Sequence, residues 1–98
     1  MYVIRDIFRC KPGHSKSVAE KFKNSFSAMQ KMKGFKSGRV LLDYVGSYWT
    51  VVLETEVDSL GNFEALMNEY AINKEMRDTV KGYMEEVEGG HREIFRIV

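Results

Sequence analysis

The segment from Gly38 to Val57 constrains the fold most strongly, because apolar and polar residues alternate along it. A period of two residues is typical of β-strands that bury one face. The alternation is interrupted once, at Gly46-Ser47, which suits a two-residue type II′ turn. The segment is therefore predicted to be a β-hairpin in which Arg39 lies opposite Glu54 and Asp43 opposite Thr50.

The predicted register gives the hairpin two faces of different character. One face carries no charge and consists of Val40, Leu42, Tyr44, Trp49, Val51 and Leu53. The other face mixes charged and apolar residues, namely Arg39, Leu41, Asp43, Val45, Tyr48, Thr50, Val52 and Glu54. We expect helices to cover the uncharged face, with Tyr44 and Trp49 in the core, and the mixed face to stay uncovered in a single chain.

The residues before the hairpin predict one strand and one helix. Tyr2 to Cys10 is rich in β-branched and aromatic residues and ends at Lys11-Pro12-Gly13, a turn signal. Apolar residues then recur at steps of three and four from Val18 to Met32, as in an amphipathic helix. Ser15 is the predicted N-cap and Gly34 the predicted C′ residue.

The residues after the hairpin predict two helices and a final strand. Helical spacing runs from Leu60 to Tyr70 and again from Ile72 to Val87, with a break expected near Ala71 to Asn73. Gly89-Gly90 ends the helical pattern, and His91 to Val98 returns to strand-forming residues.

The resulting order is β-α-β-β-α(α)-β, which is the ferredoxin-like arrangement of two βαβ halves. We therefore predict a single α+β domain over residues 1–98, with a four-stranded antiparallel sheet and helices on one face. Both crossovers should be right-handed.

Composition excludes several classes of protein. Lys plus Arg number 15 and Asp plus Glu number 14, so the net charge of +1 provides no general attraction for nucleic acid or an anionic membrane. The opening MYVIRDIF has charges at Arg5 and Asp6 and does not resemble a signal peptide, so we predict a cytoplasmic protein. Cys10 is the only cysteine, which excludes an internal disulfide.

The uncovered sheet face predicts self-association. Its apolar area, summed over four strands, exceeds the few hundred Å² that a monomer usually exposes. A second copy packed face to face would cover it and give an isologous homodimer. Charged residues between two sheets must be paired, wet or bound to a ligand, and Arg39 opposite Glu54 is one available pair.

The chain resembles the dimeric α+β barrel superfamily. The resemblance rests on the element order, on Lys11-Pro12-Gly13 before the first helix, on Gly34-Phe35 before the second strand, and on a Glu-rich end to the third strand. The superfamily includes antibiotic-biosynthesis monooxygenase-like, haem-degrading, muconolactone isomerase-like and NIPSNAP-like proteins. The resemblance implies a homodimer with a ligand-sized cavity between the sheets and the helices.

The chain departs from the sequence patterns of two groups within this superfamily. Monooxygenase-like members often end the third strand with Glu-x-Trp, whereas this chain has Glu54-Thr55-Glu56. Haem-degrading members use an Asn on the first strand with a Trp and a His in the second helical region; this chain has Asp6 and neither residue between Asp58 and Gly89. Haem degradation is therefore disfavoured, and no catalytic residue is transferred by position.

The favoured function is binding of a small apolar or aromatic molecule in a homodimeric barrel, with cofactor-independent monooxygenase or isomerase chemistry left open. We predict no metal site and no cofactor, because neither His14 nor His91 has a partner at ligand spacing. The candidate ligand contacts are Arg39, Asp43, Tyr48, Thr50, Glu54 and His91.

Two other functions share this topology. One is a ligand-sensing regulatory module of the ACT type. The other is an RNA-recognition domain, which is disfavoured because the third predicted strand lacks the basic residue, glycine and alternating aromatics of that class.

Overall fold

The chain forms four strands and four helices. The computed structural model describes residues 1–98. In chain order the elements are β1 (Tyr2–Cys10), α1 (Ser15–Met29), β2 (Phe35–Leu42), β3 (Thr50–Val57), α2 (Leu60–Ile72), α3 (Lys74–Thr79), α4 (Tyr83–Glu86) and β4 (Val87–Arg96).

The strands form one antiparallel sheet in the order β2-β3-β1-β4. This is the ferredoxin-like order, so the predicted α+β class is confirmed. Arg39 pairs with Glu54 and Leu42 with Val51, as the alternating pattern predicts. The predicted register of the hairpin is therefore correct from Arg39 to Leu42, and the pairing shifts by one residue between Phe35 and Ser37.

The predicted two-residue turn at Gly46-Ser47 is wrong. β2 ends at Leu42 and β3 begins at Thr50, so residues 43–49 form a loop. The amide of Asp43 donates to the carbonyl of Thr50 at 3.2 Å, and the amide of Thr50 donates to Oδ1 of Asp43 at 2.9 Å. An Asp side chain that accepts a backbone amide competes with the strand ladder, and the pairing stops here.

Tyr44 and Trp49 are consequently outside the core. Tyr44 is fully exposed and Trp49 is 42% exposed. Their expected core role is wrong because the pairing that would have placed them on the helix side does not form. Tyr48 and Trp49 have left-handed backbones, with φ of 63° and 50°.

The core lies between the helices and one face of the sheet, in two clusters. One joins α1 to the sheet and contains Cys10, Val18, Ala19, Phe22, Val51, Leu53 and Val80. The other joins α1 to α2 and α3 and contains Ala28, Met29, Leu66 and Met76. Residues Ile4, Val51, Leu53 and Val57 are buried, which identifies the helix side of the two central strands.

Several helix boundaries differ from the prediction. The N-cap of α1 is His14 rather than Ser15, and α1 ends at Met29 with Gln30 as C-cap. Gly34 has a left-handed φ of 83° in the turn before β2, which is a role that favours glycine. The break between α2 and α3 is confirmed at Asn73, whose Oδ1 accepts from the amide of Met76 at 3.1 Å.

The predicted helix from Ile72 to Val87 is divided into α3 and α4. Gly82, with a φ of 89°, separates them because this conformation cannot continue a right-handed helix. β4 begins at Val87, so Gly89 and Gly90 lie inside the strand opposite Arg9 and Phe8 rather than before it.

The molecule is a two-layer slab with Cα extents of 35 × 34 × 18 Å. Only 16 of its 98 residues are buried, because one broad face of the sheet has no helix over it. None of the helices combines the length and apolar character needed to cross a lipid bilayer.

Candidate ligand-binding cleft

A cleft opens between the helix side of the sheet and the short helices at the β4 edge. Its outer lobe has a volume of about 410 Å³ and its inner lobe about 220 Å³. The outer volume lies within the range of about 300–1,000 Å³ that is usual for small-molecule sites. Four residues line both lobes, namely Asp6, Phe8, Tyr83 and Arg92.

Gly90 of β4 lines the outer lobe and contributes no side chain to it. Gly90 pairs with Phe8, whose ring lies on the helix side, so Gly90 lies on that side of β4. A Cβ at Gly90 would stand 2.2 Å from the carbonyl oxygen of Ile7. No larger residue fits here, because the backbone of β1 lies too close to Gly90.

Aromatic rings form the apolar wall of the cleft. The rings of Phe8 and Phe22 stack with centroids 4.9 Å apart. Tyr83 of α4 meets Phe22 edge-on at 5.1 Å and Phe8 at 6.0 Å. Rings in these orientations pack favourably against one another.

One ion pair lies in this apolar wall. Arg92 of β4 donates through Nε to Oδ1 of Asp6 on β1. The Asp6 side chain is only 13% exposed, and that of Arg92 is 44% exposed. The guanidinium also lies 5.0 Å from the centre of the Phe63 ring and donates through Nη2 to Sδ of Met67 at 3.7 Å. Arg92 thus connects the sheet to α2 beside the cleft.

Sequence reasoning missed this pair as a site. The alternation of residues in β1 could have indicated Asp6, because Asp6 shares a face with Ile4 and Phe8. It is the charged residue among the helix-side positions of β1. Arg92 lies directly opposite Asp6. That pairing depends on the register between the first and last strands, which local sequence patterns do not specify.

Tyr70 of α2 contributes a phenol to the inner lobe. Burial raises the pKa of Tyr70 to about 12, and the nearby Tyr83 acts in the same direction. Tyr70 is therefore neutral at physiological pH and can act as a hydrogen-bond donor.

The other side of the sheet, here called the open face, contains the three predicted contacts that lie within β2 and β3. Arg39, Glu54 and Thr50 lie on it together with Arg5. Nη2 of Arg39 is 2.8 Å from Oε1 of Glu54, so the expected ion pair forms, and Nε of Arg5 is 3.4 Å from Oε2. A depression of about 300 Å³ beside Arg39 and Glu54 is lined by seven residues, of which Val3 is the one hydrophobic residue.

The remaining predicted contacts are dispersed. Asp43 and Tyr48 lie in the loop between β2 and β3, where Tyr48 is 77% exposed. His91 lies inside β4, not at its start, and pairs with Ile7, so it lies on the open-face side of the strand while also bordering the outer lobe of the cleft. The pairing thus brings Arg39, Thr50, Glu54 and His91 to the open face, and His91 alone of the four also borders the cleft.

The side chains give no support for base stacking on the open face, for metal binding or for nucleophilic catalysis by cysteine. The open-face residues of the two central strands are Val3, Arg5, Ile7, Arg9, Thr50, Val52, Glu54 and Glu56, without an aromatic ring on which a base could stack. No group of three or more His, Cys, Asp or Glu residues is arranged to hold a metal ion. Burial raises the pKa of the Cys10 thiol, which disfavours the thiolate needed for nucleophilic chemistry.

Comparison with known proteins identifies the fold. No protein-family model matches the chain, and no curated protein matches it. A NIPSNAP domain protein from Burkholderia xenovorans superposes with a TM-score of 0.80 at 11% identity, covering 100% of this chain and 95% of that one. A putative antibiotic biosynthesis monooxygenase from Chloroflexus aurantiacus gives 0.77 at 15% identity, covering 99% and 92%.

A third solved structure has a bound ligand. It is a variant of MhuD with two manganese protoporphyrin IX molecules per active site, and it superposes with a TM-score of 0.79 at 20% identity, covering 100% of this chain and 95% of that one. Identities this low establish shared architecture only. The resemblance stated from the sequence is confirmed at that level: this chain has the ferredoxin-like α+β fold of NIPSNAP and antibiotic biosynthesis monooxygenase-like proteins.

Proposed function

We propose that the protein is a homodimer, joined through the open face, that binds a small aromatic molecule carrying a hydroxyl group in the cleft of each protomer. The observation that carries the proposal is the Asp6–Arg92 pair set in an aromatic wall. A charged pair in an apolar cleft is costly unless it is well hydrogen-bonded, and it can orient a polar ligand group.

The geometry favours a flat ligand with one polar end. Phe8 and Tyr83 supply ring surfaces to the outer lobe, and Gly90 lines it without a side chain. Only Oδ1 of Asp6 contacts Arg92, so Oδ2 can accept a hydrogen bond from a ligand hydroxyl. The fold likeness to monooxygenase-like and porphyrin-binding proteins agrees with such a ligand class.

The open face supports the dimer. It contains half-buried Leu41 and Val52 beside the Arg5–Glu54–Arg39 cluster, and no helix covers it. The molecule measures 35 by 34 Å along its two long axes, and an interface of standard size buries about 800 Å² per partner.

The test is a titration with 2-naphthol. Calorimetry measures the affinity, and changes in amide NMR chemical shifts locate the binding site. We expect the shifts to centre on Asp6, Tyr83 and Gly90. Asp6→Asn should weaken binding about tenfold, since a hydrogen bond to a charged group is replaced by a neutral one. Glu56→Gln, on the open face, is the matched control and should bind like the wild type.

Two results would contradict the proposed site. One is a set of shifts centred on the open face or on residues 43–49, and the other is equal affinity in Asp6→Asn. The same titration in an oxygen electrode, with a dihydroxynaphthalene that can itself supply electrons to O₂, distinguishes a binding protein from a cofactor-independent oxygenase.

A further inference from the structure

Glu86, the last residue of α4, is contacted by three side chains, two from α1 and one from its N-cap residue His14. Nδ1 of His14 lies 3.0 Å from Oε2, and Oγ of Ser17 donates to Oε1 at 3.2 Å. Lys21 forms an ion pair with Oε1 through Nζ. The Glu86 side chain is only 13% exposed, and its backbone carbonyl accepts from the amide of Lys11 at 2.8 Å.

The carboxylate of Glu86 is strongly held in its charged form. The hydrogen bond from Lys21 lowers its pKa to about 2, with His14 and Ser17 acting in the same sense and burial in the opposite sense. Such a carboxylate is ionised at any pH at which the protein would be studied, and its contacts with α1 are charge-assisted.

Few other features hold α4 in place. It has four residues, none of them buried, and a helix this short has no independent stability. Gly82, with a φ of 89°, precedes it, and Gly89 and Gly90 follow shortly after. Apart from the ring contacts of Tyr83, the Glu86 cluster is the main polar link between α4 and α1.

We propose that Glu86 is a positioning residue for the cleft, because its carboxylate fixes α4 against α1 and so holds Tyr83 and Met84 in the cleft wall. Tyr83 lines both lobes and Met84 lines the outer one. Movement of α4 would therefore alter the part of the wall that the two lobes share. The consequence for ligand affinity rests on the proposed function; the consequence for α4 does not.

The experiment compares Glu86→Gln, Lys21→Met and the double variant. Amide hydrogen exchange measured by NMR on the free protein should rise about tenfold over residues 83–87 in each single variant and stay unchanged in β1 and β3. The double variant should be no worse than the more affected single variant, because the carboxylate and the ammonium act as a unit. Glu85→Gln, at an exposed neighbouring carboxylate, should exchange like the wild type.

Ligand affinity is the second readout. The affinity for 2-naphthol should fall about fivefold in Glu86→Gln and in Lys21→Met and stay at the wild-type value in Glu85→Gln. The proposal is overturned if exchange over residues 83–87 is unchanged, if it rises equally throughout the sheet, or if the two single effects simply add. Failure of the wild type to bind 2-naphthol would reject the proposed function, while the exchange data would still decide the role of Glu86.

Discussion

Tyr70 is the residue whose acid–base chemistry is most altered by its place in the cleft. Its pKa is raised from 10.0 to about 12, chiefly by burial. The folded protein therefore holds the phenolic proton more tightly than the unfolded chain does. This contribution to stability is fully present below pH 10 and is lost as the pH rises from 10 through about 12.

A titration of phenolate absorbance tests this shift. We expect a step near pH 12 in the wild type that is missing in Tyr70→Phe. The free energy of unfolding should also decline less steeply above pH 10 in Tyr70→Phe than in the wild type. Tyr44→Phe, at a fully exposed position, is the control and should retain the step. A complete wild-type titration by pH 11 would contradict a buried Tyr70.

Asp6 and Arg92 show how far single residues could be predicted. Alternation in β1 places Asp6 with Ile4 and Phe8 on the helix side, and this parity is visible in the sequence. Its partner is visible only in the structure, because 86 residues separate the two and their contact depends on the register of β1 with β4. The charged residues of the hairpin instead predicted Arg39 and Glu54 as ligand contacts. These two form the expected ion pair, but they lie on the face of the sheet opposite the cleft.

At the scale of elements, the spacing of apolar residues and the positions of turn and capping residues predicted the order of strands and helices. They also predicted the register of β2 with β3 from Arg39 to Leu42 and the break at Asn73. Two predictions about elements are wrong. One fails where a side chain competes with the backbone for a hydrogen bond, and the other where a glycine divides a predicted helix. Asp43 accepts the amide of Thr50 and opens a loop in place of the tight turn. Gly82 divides the predicted last helix into α3 and α4, and β4 begins at Val87, before Gly89.

The loop at residues 43–49 offers a stability test of its own. Tyr48 has a φ of 63°, a conformation that Asn tolerates better than an aromatic residue. Tyr48→Asn should stabilise the fold by about 0.5–1 kcal/mol and raise Tm by a few degrees. Tyr44→Asn, in the same loop without a left-handed backbone, should leave Tm unchanged. A fall in Tm for Tyr48→Asn would instead mean that the phenol ring packs against another surface.

At the scale of the whole molecule, the slab is thin for its breadth. Helices cover one face, and the other presents half-buried Ile7, Leu41 and Val52 around the Arg5–Glu54–Arg39 cluster. The ion pairs within one chain already neutralise Glu54, so a second copy could cover this face without leaving that carboxylate unpaired. The homodimer stays a prediction, and it depends on the open face rather than on the cleft.

Light scattering coupled to size-exclusion chromatography tests whether the protein is a homodimer. The wild type should have about twice the 11.4 kDa mass of one chain at micromolar concentration. Val52→Arg adds a third cation beside Arg5 and Arg39 at the centre of the open face, and it should dissociate the dimer because an unpaired buried charge is strongly unfavourable. Asn24→Arg, on the exposed side of α1, adds the same charge and should remain dimeric. A wild-type particle with the mass of one chain would remove the interface, whereas the cleft, whose walls all come from one protomer, would still bind its ligand.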